Sequence, residues 1–346
     1  MTTACRSGSI RTKVTETGAD PRLAGGRLIV DLDALAANWR DLAERSAPAK
    51  CAAVVKADAY GLGVEHAVPV LLAAGCDSFF VALPEEGVAL RRIAPRADIH
   101  VLNGIYEQSA PTMIEAGLIP VLNSIEQIEL WALHCRERGL RNPCAIGVDT
   151  GMNRLGLTVD EALAFRTRNM SEHLVSPVLV MSHLACADRQ DHPMNDEQRE
   201  SFQQVAAAFS DIDSSLANSA GVLLGDGYLF DLTRPGIAIY GGCASRDFPN
   251  PMRPVVTLQA RIVQVRQAKQ GETVSYGATQ TLARDTRIAV VAVGYADGYP
   301  RAGSGAGVPL RDALPGGQHG FVGGVRVPLI GRVTMDLTLF DVTDVP

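Results

Sequence analysis

Short apolar runs alternate with amphipathic stretches over the first two-thirds of the chain. The apolar runs are three to six residues long, and apolar residues recur at helical spacing in the segments between them. Alternation of this kind predicts βαβ units and a parallel sheet. About eight such units over roughly 220 residues match the usual size of a (β/α)8 barrel.

A doubly wound open sheet is the structural rival, but no G-x-G-x-x-G motif follows the first run. The predicted strands are Leu28–Val30, Cys51–Val55, Ser78–Leu83, Ile99–Leu102, Ile119–Leu122, Ala145–Val148 and Val178–Met181. The predicted helices are Asp33–Glu44, Val64–Ala74, Glu85–Ile93, Ile125–Arg138, Asp160–Arg168 and Asp196–Phe209.

The pattern changes after about residue 253. Runs rich in Val, Ile and Thr follow one another there, namely Val255–Val265, Arg287–Val293, Val325–Ile330 and Leu337–Val342. No convincing helix separates them, and turn residues do, which predicts β structure. We therefore predict an α/β fold, a (β/α)8 TIM-type barrel over residues 26–253 followed by a β-rich C-terminal domain over 254–346. Residues 1–25 lack the apolar stretch of a secretory signal and are predicted to form an N-terminal extension, whose order is left open.

Composition excludes several classes of function. Hydrophobic residues make up 47% and charged residues 20%, an ordinary globular balance. The net charge of −6 gives no general footprint for nucleic acid, and no run of about 18 apolar residues could span a membrane. The seven cysteines form no C-x-x-C pair and favour a reduced cytoplasm over a disulfide framework. We expect a cytoplasmic protein with a small-molecule substrate and no metal.

Lys56, one of only four lysines, is the first candidate for chemistry. It lies in Val54-Val55-Lys56-Ala57-Asp58-Ala59-Tyr60-Gly61-Leu62-Gly63, where an apolar strand meets a glycine-punctuated turn. Partial desolvation lowers the pKa of a lysine and makes it a nucleophile toward aldehydes. On this stretch alone, a lysine whose ammonium group reaches solvent from a strand end is an equally good interpretation.

Further polar residues follow the later predicted strands. They lie in Asp149–Gly156, Ser182–Ala185, Asn218–Gly221 and Arg234–Ile237. Catalytic groups of a barrel lie at the carboxyl ends of its strands, so these residues could converge on an anionic ligand. Taken singly, His183 could be a structural histidine, Arg154 a surface ion-pair partner and Ser219 a helix N-cap. Their shared placement at strand ends favours a common site.

Seven segments of the chain carry a resemblance in the same order: Val54–Gly63, Asp149–Gly156, Ser182–Asp188, Asn218–Gly221, Arg234–Gly241, Val274–Gln280 and Gly331–Leu337. Together they resemble the bacterial alanine racemase family, whose members are pyridoxal-phosphate enzymes with a barrel and a C-terminal β domain. The resemblance extends from about Leu28 to Val342. It implies interconversion of L- and D-alanine by two bases acting on a pyridoxal-phosphate aldimine, with D-alanine supplied to peptidoglycan.

The resemblance assigns the two bases to Lys56 and Tyr276. Lys56 would carry pyridoxal 5'-phosphate as an internal aldimine and then serve one face of the substrate's α-carbon, while Tyr276 would serve the other. Racemisation requires that a proton leaves one face and returns to the opposite one. In the family this tyrosine comes from the partner subunit, so the resemblance implies a homodimer with shared active sites. Without the other segments, a tyrosine packed at a domain interface would be the preferred interpretation.

The resemblance also implies how the cofactor is held. Arg234 would meet the pyridine nitrogen and leave it unprotonated, because an arginine does not give up its proton. His183 would link Arg234 toward Tyr276, and these cationic surroundings would lower the pKa of the phenol. The cofactor-binding set is completed by Tyr60, Asn218, Ser219, Gly236 and Ile237, the last two through backbone N–H groups directed at the phosphate.

Four residues would contact the substrate by resemblance. Arg154 would lie near its carboxylate, Met335 would offer a backbone N–H, Asp336 would crowd it, and Tyr295 would narrow the entrance. Many family members carry a carbamylated lysine seven residues before the arginine that matches Arg154, whereas this chain has Gly147. Something else, such as a bound anion, is therefore expected to position Arg154.

The family pattern continues beyond the position that matches Pro346. The β-rich domain is therefore expected to be truncated at its C-terminus, with weaker retention of the cofactor. Three alternative functions stay open: a racemase of broader substrate range, a decarboxylase of basic amino acids, and an inactive homologue that only binds pyridoxal phosphate. Tyr276 speaks against the decarboxylase, and turnover of alanine separates an enzyme from a binder.

Overall fold

A computed structural model describes residues 20, 22–172, 175–305 and 317–346. Most of the predicted N-terminal extension, residues 1–19 and 21, lies outside the described residues. The chain divides into two compact units, one of residues 30–256 and one that joins the described residues before 30 to those after 256. Within the described ranges, no helix has both the length and the apolar character needed to cross a bilayer.

Strands and helices alternate through the unit of residues 30–256. The strands among the described residues of both units are β1 (Gly26–Val30), β2 (Lys50–Cys51), β3 (Ala53–Val54), β4 (Ser78–Val81), β5 (Asp98–Val101), β6 (Ile119–Leu122), β7 (Pro143–Gly147), β8 (Ser176–Met181), β9 (Asp213–Ser215), β10 (Leu232–Thr233), β11 (Val256–Ala260), β12 (Ile262–Ala268), β13 (Thr273–Val274), β14 (Gln280–Thr281), β15 (Thr286–Val291), β16 (His319–Val322), β17 (Val325–Pro328) and β18 (Thr338–Asp341). The helices are α1 (Leu32–Ser46), α2 (Lys56–Gly61, whose backbone is left-handed), α3 (Val64–Ala74), α4 (Pro84–Ile93), α5 (Ala110–Glu115), α6 (Ile125–Glu137), α7 (Val159–Glu172), α8 (Met194–Ala208) and α9 (Ser219–Leu224). Short 3-10 turns cover Asp226–Tyr228, Tyr276–Ala278, Tyr295–Asp297 and Arg301–Gly303.

The parallel strands close into a barrel. Strands β3 to β9 form one seven-stranded parallel sheet in chain order, and β10 pairs in parallel with β2. Hydrogen bonds complete the ring: Ala52 N donates to Thr233 O at 2.9 Å, and Arg234 N donates to Ala217 O at 2.9 Å. With β2 and β3 taken as two pieces of one strand, eight strands surround the axis. The predicted (β/α)8 barrel is confirmed.

Apolar side chains pack on both faces of the barrel sheet. Phe79 and Phe80, neighbours in β4, are both fully buried but belong to different clusters. Phe79 packs in the large layer between strands and helices, and Phe80 packs inside the barrel with residues such as Val121 and Leu179. Successive strand residues point to opposite faces, so burial of both faces explains why these strands are continuous apolar runs.

Polar caps start helices directly after the strand ends. Ser124 Oγ accepts a hydrogen bond from Gln127 N at 3.3 Å at the start of α6. Asn218 Oδ1 accepts from Gly221 N at 2.9 Å at the start of α9. Such caps satisfy helix N–H groups that have no partner within the helix. They also hold the strand-to-helix turns at one end of the barrel in fixed conformations.

The second unit is β-rich, as predicted. Strands β12, β15 and β18 form a three-stranded antiparallel sheet, and β13–β14 and β16–β17 form antiparallel pairs. A separate apolar cluster that includes Val291, Val327 and Phe340 fills this unit.

One strand assignment from the sequence was wrong. Leu28–Val30 was expected to be the first barrel strand, but β1 pairs with β11 and not with the barrel sheet. Its residues are exposed or half-buried, without the two-sided burial of the barrel strands. An apolar run predicts that a strand forms, but it does not predict which other strand it pairs with. Lys56 therefore follows the first barrel strand and not the second.

We expect His100→Phe to reduce the acid sensitivity of the fold. His100 is buried in β5, its ring stacks on Phe80 with centroids 4.3 Å apart, and among the described residues its Nδ1 has no hydrogen-bond partner. Burial, reinforced by the charge of Arg234, lowers the pKa of His100 from 6.5 to about 3. Between these values the unfolded chain binds a proton that the folded chain does not, so stability falls as pH falls, by about 1.4 kcal/mol per pH unit for one proton.

The measurement is the free energy of unfolding from urea titrations at a series of pH values from neutral to about pH 4. The curve for His100→Phe should fall less steeply than that of the wild type. Parallel curves would contradict a neutral, buried His100.

Candidate active site

A cavity of about 500 Å³ lies at the carboxyl ends of the barrel strands. This volume is typical of a site for a small molecule. The cavity is lined by nine of the predicted site residues: Lys56, Tyr60, Arg154, His183, Asn218, Ser219, Arg234, Gly236 and Ile237. They come from five separate segments of the sequence, which the barrel brings to one place.

Lys56 begins a turn of left-handed backbone. The four residues Ala57–Tyr60 have φ values of 52°, 52°, 54° and 56°, and none of them is glycine. A left-handed conformation costs a non-glycine residue about 1–2 kcal/mol, so contacts must hold the turn. At its far side, Asp58 Oδ1 accepts a hydrogen bond from Val64 N at 2.7 Å. The turn directs both Lys56 and Tyr60 to the cavity.

The amine of Lys56 is half-buried in a positively charged environment. Burial lowers the pKa of Lys56, the charge of Arg154 lowers it further, and Glu86 opposes the shift. A lowered pKa increases the fraction of free amine, which is the nucleophilic form. Lys56 thus combines the position and the protonation behaviour that covalent chemistry with an aldehyde requires.

Arg234, only 3% exposed, carries a buried positive charge beside the cavity. Its Nη1 donates to Ser215 Oγ and its Nη2 donates to Ser182 O at 2.6 Å. Its guanidinium carbon lies 5.8 Å from the centroid of the Phe80 ring. Burial lowers the pKa of Arg234 to about 9, which leaves the group a cation at neutral pH. A ring nitrogen placed against this group would meet only N–H donors.

His183 is a neutral imidazole at the same end of the barrel. Burial lowers its pKa to about 3, and the charges of Arg234, Arg154 and Lys56 contribute further. Its Nε2 lies 3.5 Å from Nδ2 of Asn218. An amide nitrogen can only donate, so this contact requires an unprotonated Nε2.

Ser219, Gly236 and Tyr60 form a cradle that fits a phosphate group. Ser219 Oγ accepts hydrogen bonds from Gly236 N at 2.7 Å and from Ala238 N at 3.2 Å, which leaves its own proton free to donate. The Tyr60 hydroxyl lies so close to Gly236 that a Cβ there would overlap it. The Gly236 N–H, expected to face the phosphate, is directed at Ser219. The hydroxyl groups of Ser219 and Tyr60 can donate to an anion with several acceptor oxygens, and Gly236 has no side chain to block it. The nearby cations also favour an anion.

The loop that carries Arg154 is organised by Asp149. Asp149 Oδ1 accepts hydrogen bonds from Gly151 N at 2.7 Å and Met152 N at 2.8 Å, and Oδ2 accepts from Arg154 N at 2.9 Å. These bonds fix the backbone of the loop, while the side chain of Arg154 is exposed and lines the cavity. Asp149, a residue of the same loop, thus positions the backbone of Arg154.

Gly147 leaves no room for a side chain. A Cβ at Gly147 would overlap Asn123 Oδ1 and lie 3.2 Å from Val121 Cγ1. Asn123 is held in place because its Nδ2 donates to Leu102 O at 3.0 Å and to Val121 O at 2.8 Å. The amide of Asn123 therefore occupies the space into which a side chain at position 147 would extend.

The other four predicted site residues belong to the β-rich unit. Tyr276 is 72% exposed and begins a tight turn after Ser275, whose φ is +63°. Ser275 Oγ donates to Arg332 O at 2.9 Å, which anchors this turn. The phenol of Tyr276 is therefore carried by an anchored backbone and projects into solvent.

Tyr295, Met335 and Asp336 lie in two adjoining loops. Tyr295 N donates to Thr334 O at 3.0 Å, and Ala296 N donates to Met335 O at 2.9 Å. Tyr295 and Met335 are 43% and 55% exposed. The structure thus brings these three predicted residues together on one surface of the β-rich unit.

Sequence reasoning missed Asn123, which lines the cavity, and Glu86, which contacts the turn after Lys56. Asn123 directly follows the predicted strand Ile119–Leu122, so the same strand-end argument would have found it. Glu86 accepts a hydrogen bond at Oε1 from Ala57 N, 2.6 Å away, and so contacts the residue after Lys56. Its place near the start of a predicted helix is a capping signal, but only the fold shows that it reaches the lysine turn.

Comparison with known proteins gives consistent matches. Residues 30–244 match the N-terminal domain of alanine racemase, and residues 255–346 match its C-terminal domain. An alanine racemase of Rhizobium meliloti (strain 1021) is 56% identical over 323 residues, which cover 93% of this chain and 85% of the relative. A biosynthetic alanine racemase of Agrobacterium fabrum is 55% identical over 320 residues, which cover 92% of this chain and 82% of the relative.

Solved structures agree with these matches. The alanine racemase from Bartonella henselae with covalently bound pyridoxal phosphate has a TM-score of 0.83 and 36% identity, with 93% of this chain and 87% of that chain covered. The biosynthetic alanine racemase from Pseudomonas aeruginosa has a TM-score of 0.82 and 34% identity, with coverages of 94% and 87%. Both domains match in order over nearly all of the described residues, and the resemblance seen in the sequence is confirmed. The chain belongs to the alanine racemase family.

Proposed function

We propose that this protein interconverts L-alanine and D-alanine with pyridoxal phosphate as its cofactor. The observation that carries the proposal is Lys56, a half-buried amine of lowered pKa that shares one cavity with the hydroxyl groups of Ser219 and Tyr60. Relatives above 50% identity that are named alanine racemase support it, as does the related structure with covalently bound pyridoxal phosphate.

The residues of the cavity would hold the cofactor in one orientation. Lys56 would bind its aldehyde carbon, Arg234 would face its ring nitrogen, and Ser219 with Tyr60 would hold its phosphate. Asn218, Gly236, Ile237 and His183 complete the proposed set. When bound, the cofactor withdraws electrons from the α-carbon of an amino acid and makes its proton acidic. Arg234 would limit this withdrawal, because an N–H donor against the ring nitrogen would leave that nitrogen unprotonated and so disfavour competing reactions.

Lys56 and Tyr276 would act as the two bases. The neutral amine of Lys56 would take or return a proton on one face of the α-carbon, and the phenol of Tyr276 would do so on the other. The lowered pKa of Lys56 suits a base that must lose its own proton near neutral pH. Arg154 and the N–H of Met335 would bind the substrate carboxylate, while Asp336 and Tyr295 would restrict the space for its side chain.

We also propose a homodimer in which each subunit completes the active site of the other. The support is apolar exposure in one strand: Ile262, Val263 and Val265 of β12 are 43%, 57% and 53% exposed. Exposed apolar side chains that lie close together in sequence, as here, are the kind of surface that an interface buries. The same proposal includes a cytoplasmic location, which the six free cysteines among the described residues favour. It also includes supply of D-alanine to peptidoglycan.

The first test is racemisation itself. The purified chain with pyridoxal phosphate and L-alanine should form D-alanine, quantified by chiral separation. Lys56→Ala should lower the rate by about 10³-fold or more, because both the covalent attachment and one base are lost. Lys269→Ala should retain the wild-type rate, since Lys269 forms only an exposed ion pair with Asp285 at 2.8 Å.

Each other outcome selects a different function. A wild-type protein that binds the cofactor through Lys56 but forms no D-alanine would be a binder and not a racemase. Equal rates with alanine and serine would indicate a broader racemase, and carbon dioxide release from lysine or arginine would indicate a decarboxylase.

The second test addresses shared active sites. Lys56→Ala and Tyr276→Phe should each be nearly inactive alone, because each lacks one base. Mixed after subunit exchange, they should regain about a quarter of the wild-type activity, because half of the dimers then contain one intact site out of two. A mixture no more active than its components would contradict a site built from two subunits.

A further inference from the structure

The left-handed turn of Ala57–Tyr60 is held at its start by a side chain from a distant part of the chain. Glu86 Oε1 accepts a hydrogen bond from Ala57 N at 2.6 Å, across 29 positions of sequence. Ala57 N belongs to the peptide group that joins Ala57 to Lys56. Because a peptide group is planar, fixing its N–H fixes the ψ angle of Lys56 and the direction in which its side chain leaves the backbone.

The other oxygen of the same carboxylate is engaged at the start of α4. Glu86 Oε2 accepts hydrogen bonds from Ala82 N at 2.7 Å and from Leu83 N at 3.0 Å. These two N–H groups lie at the end of β4, directly before the helix. One half-buried carboxylate therefore joins the end of β4 to the residue that follows Lys56.

We propose that Glu86 is a positioning residue that holds the amine of Lys56 in its reactive orientation by anchoring the strained turn after it. The consequence for catalysis rests on the proposed function, but the anchoring of the turn does not. Both ends of the turn are then tied by carboxylates, Glu86 at Ala57 and Asp58 at Val64. The charge of Glu86 also partly offsets that of Arg154 at Lys56, so the lysine pKa is lowered less than burial and Arg154 alone would lower it.

A glutamate that only caps a helix bonds to residues of its own helix start, and Glu161 is an example in this chain. Glu161 Oε2 accepts hydrogen bonds from Thr158 N at 2.8 Å and Thr158 Oγ1 at 2.9 Å at the start of α7. Both bonds stay within three residues of Glu161. Its carboxylate supports its own helix only, which makes Glu161→Gln a matched control for Glu86→Gln.

The decisive variant is Glu86→Gln, which keeps the shape of the side chain but leaves one acceptor oxygen for three N–H donors. Hydrogen–deuterium exchange of the peptide Lys56–Gly63 should be faster by about tenfold or more in the cofactor-free variant, since a hydrogen bond to a charged group is lost. Formation of the lysine-bound cofactor, followed by its visible absorbance, should be slowed by about the same factor, because Lys56 samples more orientations. Glu161→Gln should change neither quantity.

A second variant keeps the test decisive if Glu86→Gln does not fold. Glu86→Asp retains the charge but is one methylene shorter, so it cannot both cap α4 and reach Ala57 N. It should show the same faster exchange and slower capture. If Glu86→Gln and Glu86→Asp match the wild type or Glu161→Gln in both measurements, Glu86 is only a cap and the proposal is wrong.

Racemisation assays on the same proteins separate the two proposals. If the wild type racemises alanine, Glu86→Gln should lower kcat more than it raises KM, because the defect lies in the orientation of a base. If the wild type does not racemise alanine, the proposed function fails, while exchange and cofactor capture still report on Glu86.

Discussion

Burial of the Arg234 guanidinium is the condition on which the rest of this structure depends. A charge at 3% exposure is strongly destabilising unless polar groups replace its lost water. Its acceptors are the hydroxyl of Ser215, in β9, and the carbonyls of Ser182, just after β8, and Leu216, just after β9. They meet Arg234 only when β10 lies between β9 and β2 and closes the ring. The hydrogen bonds that satisfy Arg234 thus form only when the barrel closes, so barrel closure also places this cation beside the cavity.

Much of the cavity could be predicted because its residues follow apolar strands. Runs such as Ile119–Leu122 and Leu179–Met181 are buried on both faces, so they stand out in the sequence and locate the residues after them. Strands β9 (Asp213–Ser215) and β10 could not be found in this way. They have three and two residues, respectively, and polar side chains form much of them. Short strands of this kind are fixed by their neighbours in the closed barrel and not by their own composition.

The turn after Lys56 lay beyond sequence reasoning for a different reason. Local preference opposes a left-handed conformation at Ala57 and Ala59, and one of the two contacts that tie the turn comes from the distant Glu86. Strain of this kind is found where geometry at a functional group matters more than local stability. The partner of β1 was unpredictable on the same grounds, since an apolar strand does not encode which sheet it joins. Family motifs indicated Tyr276, Tyr295, Met335 and Asp336, which periodicity alone would have left as ordinary residues of the β-rich unit.

The contact between Gly147 and Asn123 constrains how this site can change during evolution. A single substitution that adds a side chain at Gly147 meets the amide of Asn123, which is tied to two carbonyl groups and cannot easily move aside. A change at Asn123 alone leaves those carbonyls without their donor. Each single step is therefore unfavourable, although a double change could be tolerated. Positions 147 and 123 should therefore change together among relatives. As long as position 123 is asparagine, position 147 is restricted to glycine.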